Sequence, residues 1–369
     1  MKKLLFVIPT LAEGGAEKVM TILLNHLKDE KASLTLVLFN KTGIYLDKIP
    51  TTVKVIDLKK KNAYSFPRLV AQLASIIRTE RADVVISFLE YANLVTLLAR
   101  FIVCDSHIRW IISERSLPSR DLAGQRKRKL KYYLHRFLDK RADNIITMSP
   151  QTREEMIQDY CVSPEKVEVI PNPVEIEKLR ELAQTPPCHP WFQETVPVLV
   201  AMGRLTQAKG YPILINAFSR VVARTPARLM ILGQGEMKAE LDEQVQRLGL
   251  KEHVWMPGFI ANPYPYLNQA TLFILASLWE GLPNALLEAM ALGKPVIATS
   301  CNDSVNQLIH SGQNGILIPP EDVRALEESI LTLLADTQQQ DQFAKENIRQ
   351  IKSYDVNLII QQFERAFNL

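Results

Sequence analysis

The sequence predicts an α/β protein of two doubly wound domains facing each other across a cleft. Three observations carry this. At 369 residues the chain exceeds one ordinary core. Short Val- and Ile-rich runs alternate with helical patterns along its whole length, as in parallel sheets covered by helices. The alternation lapses once, over 171–197, around Pro186, Pro187 and Pro190, and then resumes.

The first series reads as strands at 4–8, 34–39, 53–58, 84–87, 110–113, 145–148 and 167–170. After the first of them, Gly14 and Gly15 open a helix whose Ala16, Val19, Met20, Leu23, Leu24 and Leu27 fall on one 3.6-residue stripe. The second series reads as strands at 198–202, 229–232, 254–256, 272–275, 296–299 and 316–318, with helices at 211–223 and 236–248. A tail helix follows through Val356, Ile359, Ile360, Phe363 and Phe367. The expected divisions are a first domain over 1–172, a linker over 173–197 and a second domain over 198–354, with 355–369 available to join the first. Doubly wound sheets bind ligands beyond the carboxyl ends of their strands.

Composition narrows the class. With 47% hydrophobic and 23% charged residues the chain is globular. The longest apolar stretch, 92–103, is broken by Arg100 and too short to cross a bilayer. Lys2 and Lys3 before an apolar run resemble a signal peptide, but Glu13 and Glu17 stand where a cleavage site would lie, so the run reads as a buried strand. Cys104, Cys161, Cys188 and Cys301 have no paired spacing, which suggests neither zinc nor disulfides and a cytoplasmic location. The net charge of +4 is uneven: through Glu175 there are 28 Lys and Arg against 20 Asp and Glu, and beyond it 16 against 20. A basic first half favours an anionic partner.

The most informative segment runs from Ser277 to Met290. Glu280 follows an apolar strand, and Glu288 lies within the helix that Pro283 and Asn284 begin. N–H groups of the Gly281-Leu282-Pro283-Asn284 turn suit a phosphate, while the two carboxylates accept from hydroxyls. A phosphorylated, hydroxyl-rich ligand, a nucleotide sugar, fits both. Gly203 and Arg204 with Lys209 follow another strand and offer two cations to a diphosphate. Gly233 and Gly235 close the next strand, and Gly258 with Phe259 offers backbone groups and an apolar wall to a base.

Taken in order, Gly14-Gly15-Ala16-Glu17, Gly203-Arg204 with Lys209-Gly210, Gly233-Gln234-Gly235, and Glu280-Gly281-Leu282-Pro283 through Glu288 resemble glycosyltransferase family 4 over nearly the whole chain. The resemblance implies the GT-B fold of two Rossmann-like domains and transfer of a sugar, with retention, from a nucleotide diphosphate donor, UDP by family habit. It implies that Arg204 and Lys209 neutralise the departing diphosphate, that Glu280 acts near the donor sugar and that Glu288 holds the ribose. Gly14 and Gly15 then line the loop between donor phosphates and acceptor, and Asn172 the domain junction. No cofactor and no metal are implied. Two departures stand out. Ser113-Glu114-Arg115-Ser116 lacks the histidine many members carry, leaving Glu114 or Arg115 to line that place, and Cys301-Asn302-Asp303-Ser304 stands where relatives have a glycine pair.

The stretch after Asp121 holds Arg126, Lys127, Arg128, Lys129 and Lys131 around an apolar stripe of Leu130, Tyr133, Leu134, Phe137 and Leu138. It reads either as a domain helix with a solvated basic face or as a contact for an anionic bilayer or a polyprenyl diphosphate. The resemblance extends to members acting on lipid-linked oligosaccharides. A hexose or N-acetylhexosamine transferred to a lipid-linked or membrane-presented acceptor, at the inner face of the cell membrane and without nucleic acid, is the expectation. The competing classes are a nucleotide-sugar epimerase, which would turn over donor alone, and a nucleic-acid binder indifferent to Glu280→Ala. A dinucleotide oxidoreductase fits less well, because Gly14-Gly15 lacks the G-x-G-x-x-G spacing.

Overall fold

The structure is a computed structural model that describes residues 1–27, 30–62, 65–116 and 128–369. The chain forms two compact units, one of Met1–Pro173 with Val356–Leu369 and one of Val174–Asp355.

The first unit holds a seven-stranded sheet: β1 (Lys2–Ile8), β2 (Ala32–Leu38), β3 (Lys54–Asp57), β4 (Val84–Phe88), β5 (Arg109–Glu114), β6 (Asn144–Thr147) and β7 (Val167–Val169). Their order is β3-β2-β1-β4-β5-β6-β7 and every pair is parallel. Alternate β1 side chains point to opposite faces. Leu4, Phe6 and Ile8 join one core, which also takes in the Gly15–His26 helix and Val356, Ile359, Ile360 and Phe363 of the tail helix, Val356–Ala366. Leu5 and Val7 face the second core, under helices Phe66–Glu80 and Glu90–Val103. Burial on both faces explains why these strands read as continuous apolar runs.

The second unit holds β8 (Val198–Met202), β9 (Arg228–Leu232), β10 (Val254–Gly258), β11 (Leu272–Leu275), β12 (Val296–Thr299) and β13 (Ile316–Ile318). Their order is β10-β9-β8-β11-β12-β13, again all parallel. All thirteen strands fall where the apolar runs predict. Part of the stretch read as a linker is structured. Residues Ile176–Leu182 form a helix fastened to the second unit, where Arg180 Nε donates to the Ala291 carbonyl at 3.3 Å and Asn262 Nδ2 to the Leu182 carbonyl at 2.9 Å. The prolines beyond it, with Pro190–Gln193 in a short 3-10 turn, hide so brief a helix from a periodicity reading.

Candidate functional site

In the second unit β8 pairs with β9 on one side and with β11 on the other, so the strand order reverses beside it. The loops after β8 and β11 flank this switch point, where open α/β sheets place ligands. Lys209 comes from the first loop and Glu280 from the second, and they meet: Nζ lies 2.5 Å from the Glu280 carboxylate, both side chains mostly buried. Ser277 Oγ donates to the same carboxylate oxygen at 2.6 Å. Thr299 Oγ1 holds Ser277 by donating to its carbonyl at 2.5 Å. On the far side of the turn, Asn302 Nδ2 donates to the carbonyls of Glu280 and Gly281 at 2.6 and 2.8 Å. Arg204, in the same loop as Lys209, is exposed and forms no ion pair among the described residues.

The glycines of these loops serve close packing first. Gly233 donates to the Gly258 carbonyl at 2.9 Å, and Gly203 donates to the Leu232 carbonyl at the same distance, which joins the ends of β8, β9 and β10. At φ +145° a Cβ on Gly233 would lie 2.0 Å from the Gly203 carbonyl oxygen. Gly235 backs onto the Leu205 carbonyl with similar closeness. Phe259, beside Gly258, is exposed. Tyr211, fully buried below the Gly203 loop, donates to the Gly203 carbonyl at 3.2 Å, and burial pushes its phenol well above the usual range. Burial and the neighbouring Glu280 push the Cys301 thiol up to about 12.

After the Gly281-Leu282-Pro283 turn the helix runs Asn284–Ala291, and Glu288 is buried a little over one turn inside it. Gly203, Arg204, Lys209, Gly233, Gly235, Gly258, Phe259, Glu280 and the turn into Glu288 thus all occupy the carboxyl edge of one sheet, or the helix leading from it.

The remaining candidates lie in the first unit. Gly14 caps Gly15–His26 in extended backbone, and the Glu17 carboxylate folds back over it, so that a Cβ on Gly14 would lie 2.1 Å from Glu17 Oε2. Glu114 is buried and accepts from Asn93 Nδ2 at 2.7 Å. Arg115 is turned inward: its guanidinium lies 4.6 Å from the Phe88 ring centre and 5.5 Å from that of Phe363, and Nη1 donates to Asn172 Oδ1 at 3.1 Å. Nε and Nη2 have no hydrogen-bond partner among the described residues, and burial lowers the pKa to about 9 against the opposing pull of Glu114. The guanidinium thus packs between the sheet, through Phe88, and the tail helix, through Phe363.

The basic segment departs from its reading in one respect. Arg126 and Lys127 lie outside the described residues, and the helix is described over Arg128–Leu138. Its apolar stripe splits: Leu134 and Leu138 turn inward, whereas Leu130, Tyr133 and Phe137 are 65, 63 and 53% exposed. Charged groups claim the inner face. His135, buried, stands 3.3 Å from Glu90 and 3.5 Å from the buried Asp139, and Lys131 stands 3.5 Å from Glu90. Burial opposes the charge on His135, but the two carboxylates outweigh it and raise the imidazole to about 10. Lys129 remains exposed. Arg141 lies 3.6 Å from the Phe137 ring centre and 5.5 Å from that of Phe101, so Phe101 and Ile102, both exposed, extend the same outer surface.

Thr299 escaped the sequence reading, and Ser277 and Asn302, though inside segments it singled out, were given no role. Ser277 opens the glutamate segment, and Asn302 stands at a strand end just before a short helix, an N-cap pattern that could have marked it. Among the described residues no group of three or more His, Cys, Asp or Glu gathers as a metal site, and no helix is long and apolar enough to cross a membrane.

Comparisons with known proteins bear on this arrangement. Residues 13–178 match the family model described as Glycosyltransferase Family 4, and residues 196–336 the one described as Glycosyl transferases group 1. An uncharacterised glycosyltransferase of Methanocaldococcus jannaschii is 27% identical over 83% of this chain and 85% of its own. The N-acetylgalactosamine-N,N'-diacetylbacillosaminyl-diphospho-undecaprenol 4-alpha-N-acetylgalactosaminyltransferase of Campylobacter jejuni is 27% identical over 96% of both chains. The crystal structure of Anabaena HepE in complex with UDP and glucose shares the fold, with a TM-score of 0.82 at 23% identity and full coverage of both chains. These and related structures carry the GT-B fold.

Proposed function

Since the chain is a glycosyltransferase whose two halves match the family 4 and group 1 models, we propose that it moves a hexose or N-acetylhexosamine, with retention, from a UDP-sugar to a lipid-linked or membrane-presented saccharide. The observation that carries the reading is the Lys209–Glu280 pair across the switch point, with the exposed Arg204 on the same loop as Lys209. A donor diphosphate meets two cations there, while Glu280, held by Ser277, offers an acceptor to a sugar hydroxyl.

In the proposed step the bond from the anomeric carbon to the diphosphate oxygen breaks, and Arg204 and Lys209 take up the charge that develops on the leaving group. The acceptor hydroxyl attacks from the same face and passes its proton to the departing phosphate oxygen. Glu280 and Glu288 fix the donor, so positioning supplies much of the acceleration. The two cations make a metal unnecessary. UDP is favoured by the nucleotide bound to HepE, and a lipid-linked acceptor by the diphospho-undecaprenol named for the Campylobacter relative. The outer face of Arg128–Leu138, basic and apolar at once, suits the inner surface of an anionic membrane rather than nucleic acid.

The test is a nucleotide-release screen over UDP- and GDP-sugars, repeated with extracted lipid-linked acceptors. Release that rises with acceptor is expected. Donor conversion without any acceptor would point to an epimerase, and release stimulated by no acceptor would overturn the proposal.

A further inference from the structure

We propose that Asn302 is the positioning residue that sets where Glu280 and its turn stand for the donor. Its buried side chain works at both ends. Nδ2 forks its two hydrogens to consecutive carbonyls, Glu280 at 2.6 Å and Gly281 at 2.8 Å. Oδ1 accepts from the Val305 N–H at 3.0 Å and so caps the short Asp303–Leu308 helix. One amide therefore ties the loop after β12 to the loop after β11.

The Glu280 turn needs such an anchor. Its carbonyls lie outside any strand or helix, Pro283 brings no N–H, and buried carbonyls without partners are costly. The Glu280 carboxylate is held by Ser277 and Lys209, and the loop backbone upstream by the Leu278 N–H, which donates to the Ala208 carbonyl at 2.7 Å. Asn302 grips the backbone of Glu280 and Gly281 itself. A misplacement of about 1 Å near a reacting centre costs on the order of a hundredfold in rate.

The inference rests on the proposed transferase reading, and the two fail separately. If the wild-type protein transfers no sugar, that reading falls; if it does, the Asn302 variants decide the role. Asn302→Ser keeps an oxygen able to accept from Val305 and deletes the forked donor, whereas Asn302→Asp keeps the cap and sets a carboxylate against two carbonyls. With cap retained and latch removed, Asn302→Ser should raise the donor KM about tenfold, as expected for two lost hydrogen bonds, while acceptor KM stays close to wild type and a lowered melting temperature reports the two unpaired carbonyls. Asn302→Asp should be more impaired at pH 8. Relative to wild type at each pH, it should recover several-fold by pH 5.5, because a protonated carboxyl regains a donor that a merely structural cap has no use for. A wild-type donor KM in Asn302→Ser, or an Asn302→Asp deficit that does not change with pH, overturns the proposal.

Discussion

Replacing Phe137 by Ser should weaken attachment to anionic vesicles without unsettling the fold. The side chain lies over half exposed, beside Tyr133 and Leu130 on the same helix and near Phe101 and Ile102 at the end of the neighbouring one. An aromatic side chain presents about 200 Å² in all, so Phe137 leaves about 100 Å² to water. At about 25 cal/mol per Å² its full immersion contributes about 2.5 kcal/mol, a change of about seventyfold in partitioning, or about eightfold at half immersion. Nearby cations such as Lys129 and Arg141 add about 1 kcal/mol each at an anionic surface, and salt screens that part. Sedimentation with vesicles of graded phosphatidylglycerol content, at low and high salt, separates the two. Phe137→Ser should lower binding at every salt concentration, whereas Lys129→Glu should mainly flatten the salt dependence. Equal binding of Phe137→Ser and wild type, or no vesicle binding by the wild type, would refute the reasoning.

Four further outcomes are expected. Glu280→Ala should reduce transfer by more than about a hundredfold, whereas Glu288→Ala should act mainly through donor KM; single-turnover and steady-state kinetics separate them, and normal turnover in both would make the motif structural. Gly233→Ala, whose Cβ has a carbonyl oxygen 2.0 Å away at φ +145°, should cost about 3 kcal/mol in urea unfolding, more than Gly258→Ala, which carries backbone strain at φ +88° but no clash, since nothing lies within 4 Å. His135, raised from 6.5 to about 10, contributes stability that is complete below about pH 6.5 and lost as pH rises through about 10; His135→Ala should therefore be destabilised by about 3 kcal/mol at pH 6 and by much less at pH 10, read by urea titration. Prolonged EDTA treatment followed by dialysis should leave transfer unchanged.

The central strands were readable because parallel strands buried on both faces are apolar at nearly every position, a signal local to each run. The paired glutamates were readable for a similar reason, since both lie within one strand-turn-helix segment. Contacts made at a distance were not. Lys209 and Glu280 stand 71 residues apart and Asn302 and Glu280 22 apart, and only the sheet order brings them together. Periodicity found the amphipathic stripe at Leu130, Tyr133 and Phe137 but could not say which side of it the protein covers. His135 decided that, because Glu90, from a helix the pattern treats as separate, and Asp139, one turn further along, draw its charge inward and turn the aromatic side outward. The inward turn of Arg115 was equally hidden, since one of its two aromatic neighbours comes from the tail helix.

That tail helix bears on the order in which the protein can mature. The sheet that begins at Lys2 is sealed by Val356, Ile359, Ile360 and Phe363, and Phe6 packs edge-on against Phe367 at 5.8 Å. During synthesis, the unit started first is therefore the one finished last. Val174–Asp355 is continuous and has its parts in hand while one face of the earlier sheet still lacks its cover. A nascent chain stalled before Val356 would present the part of that face which the Gly15–His26 helix does not cover to chaperones and to other nascent chains.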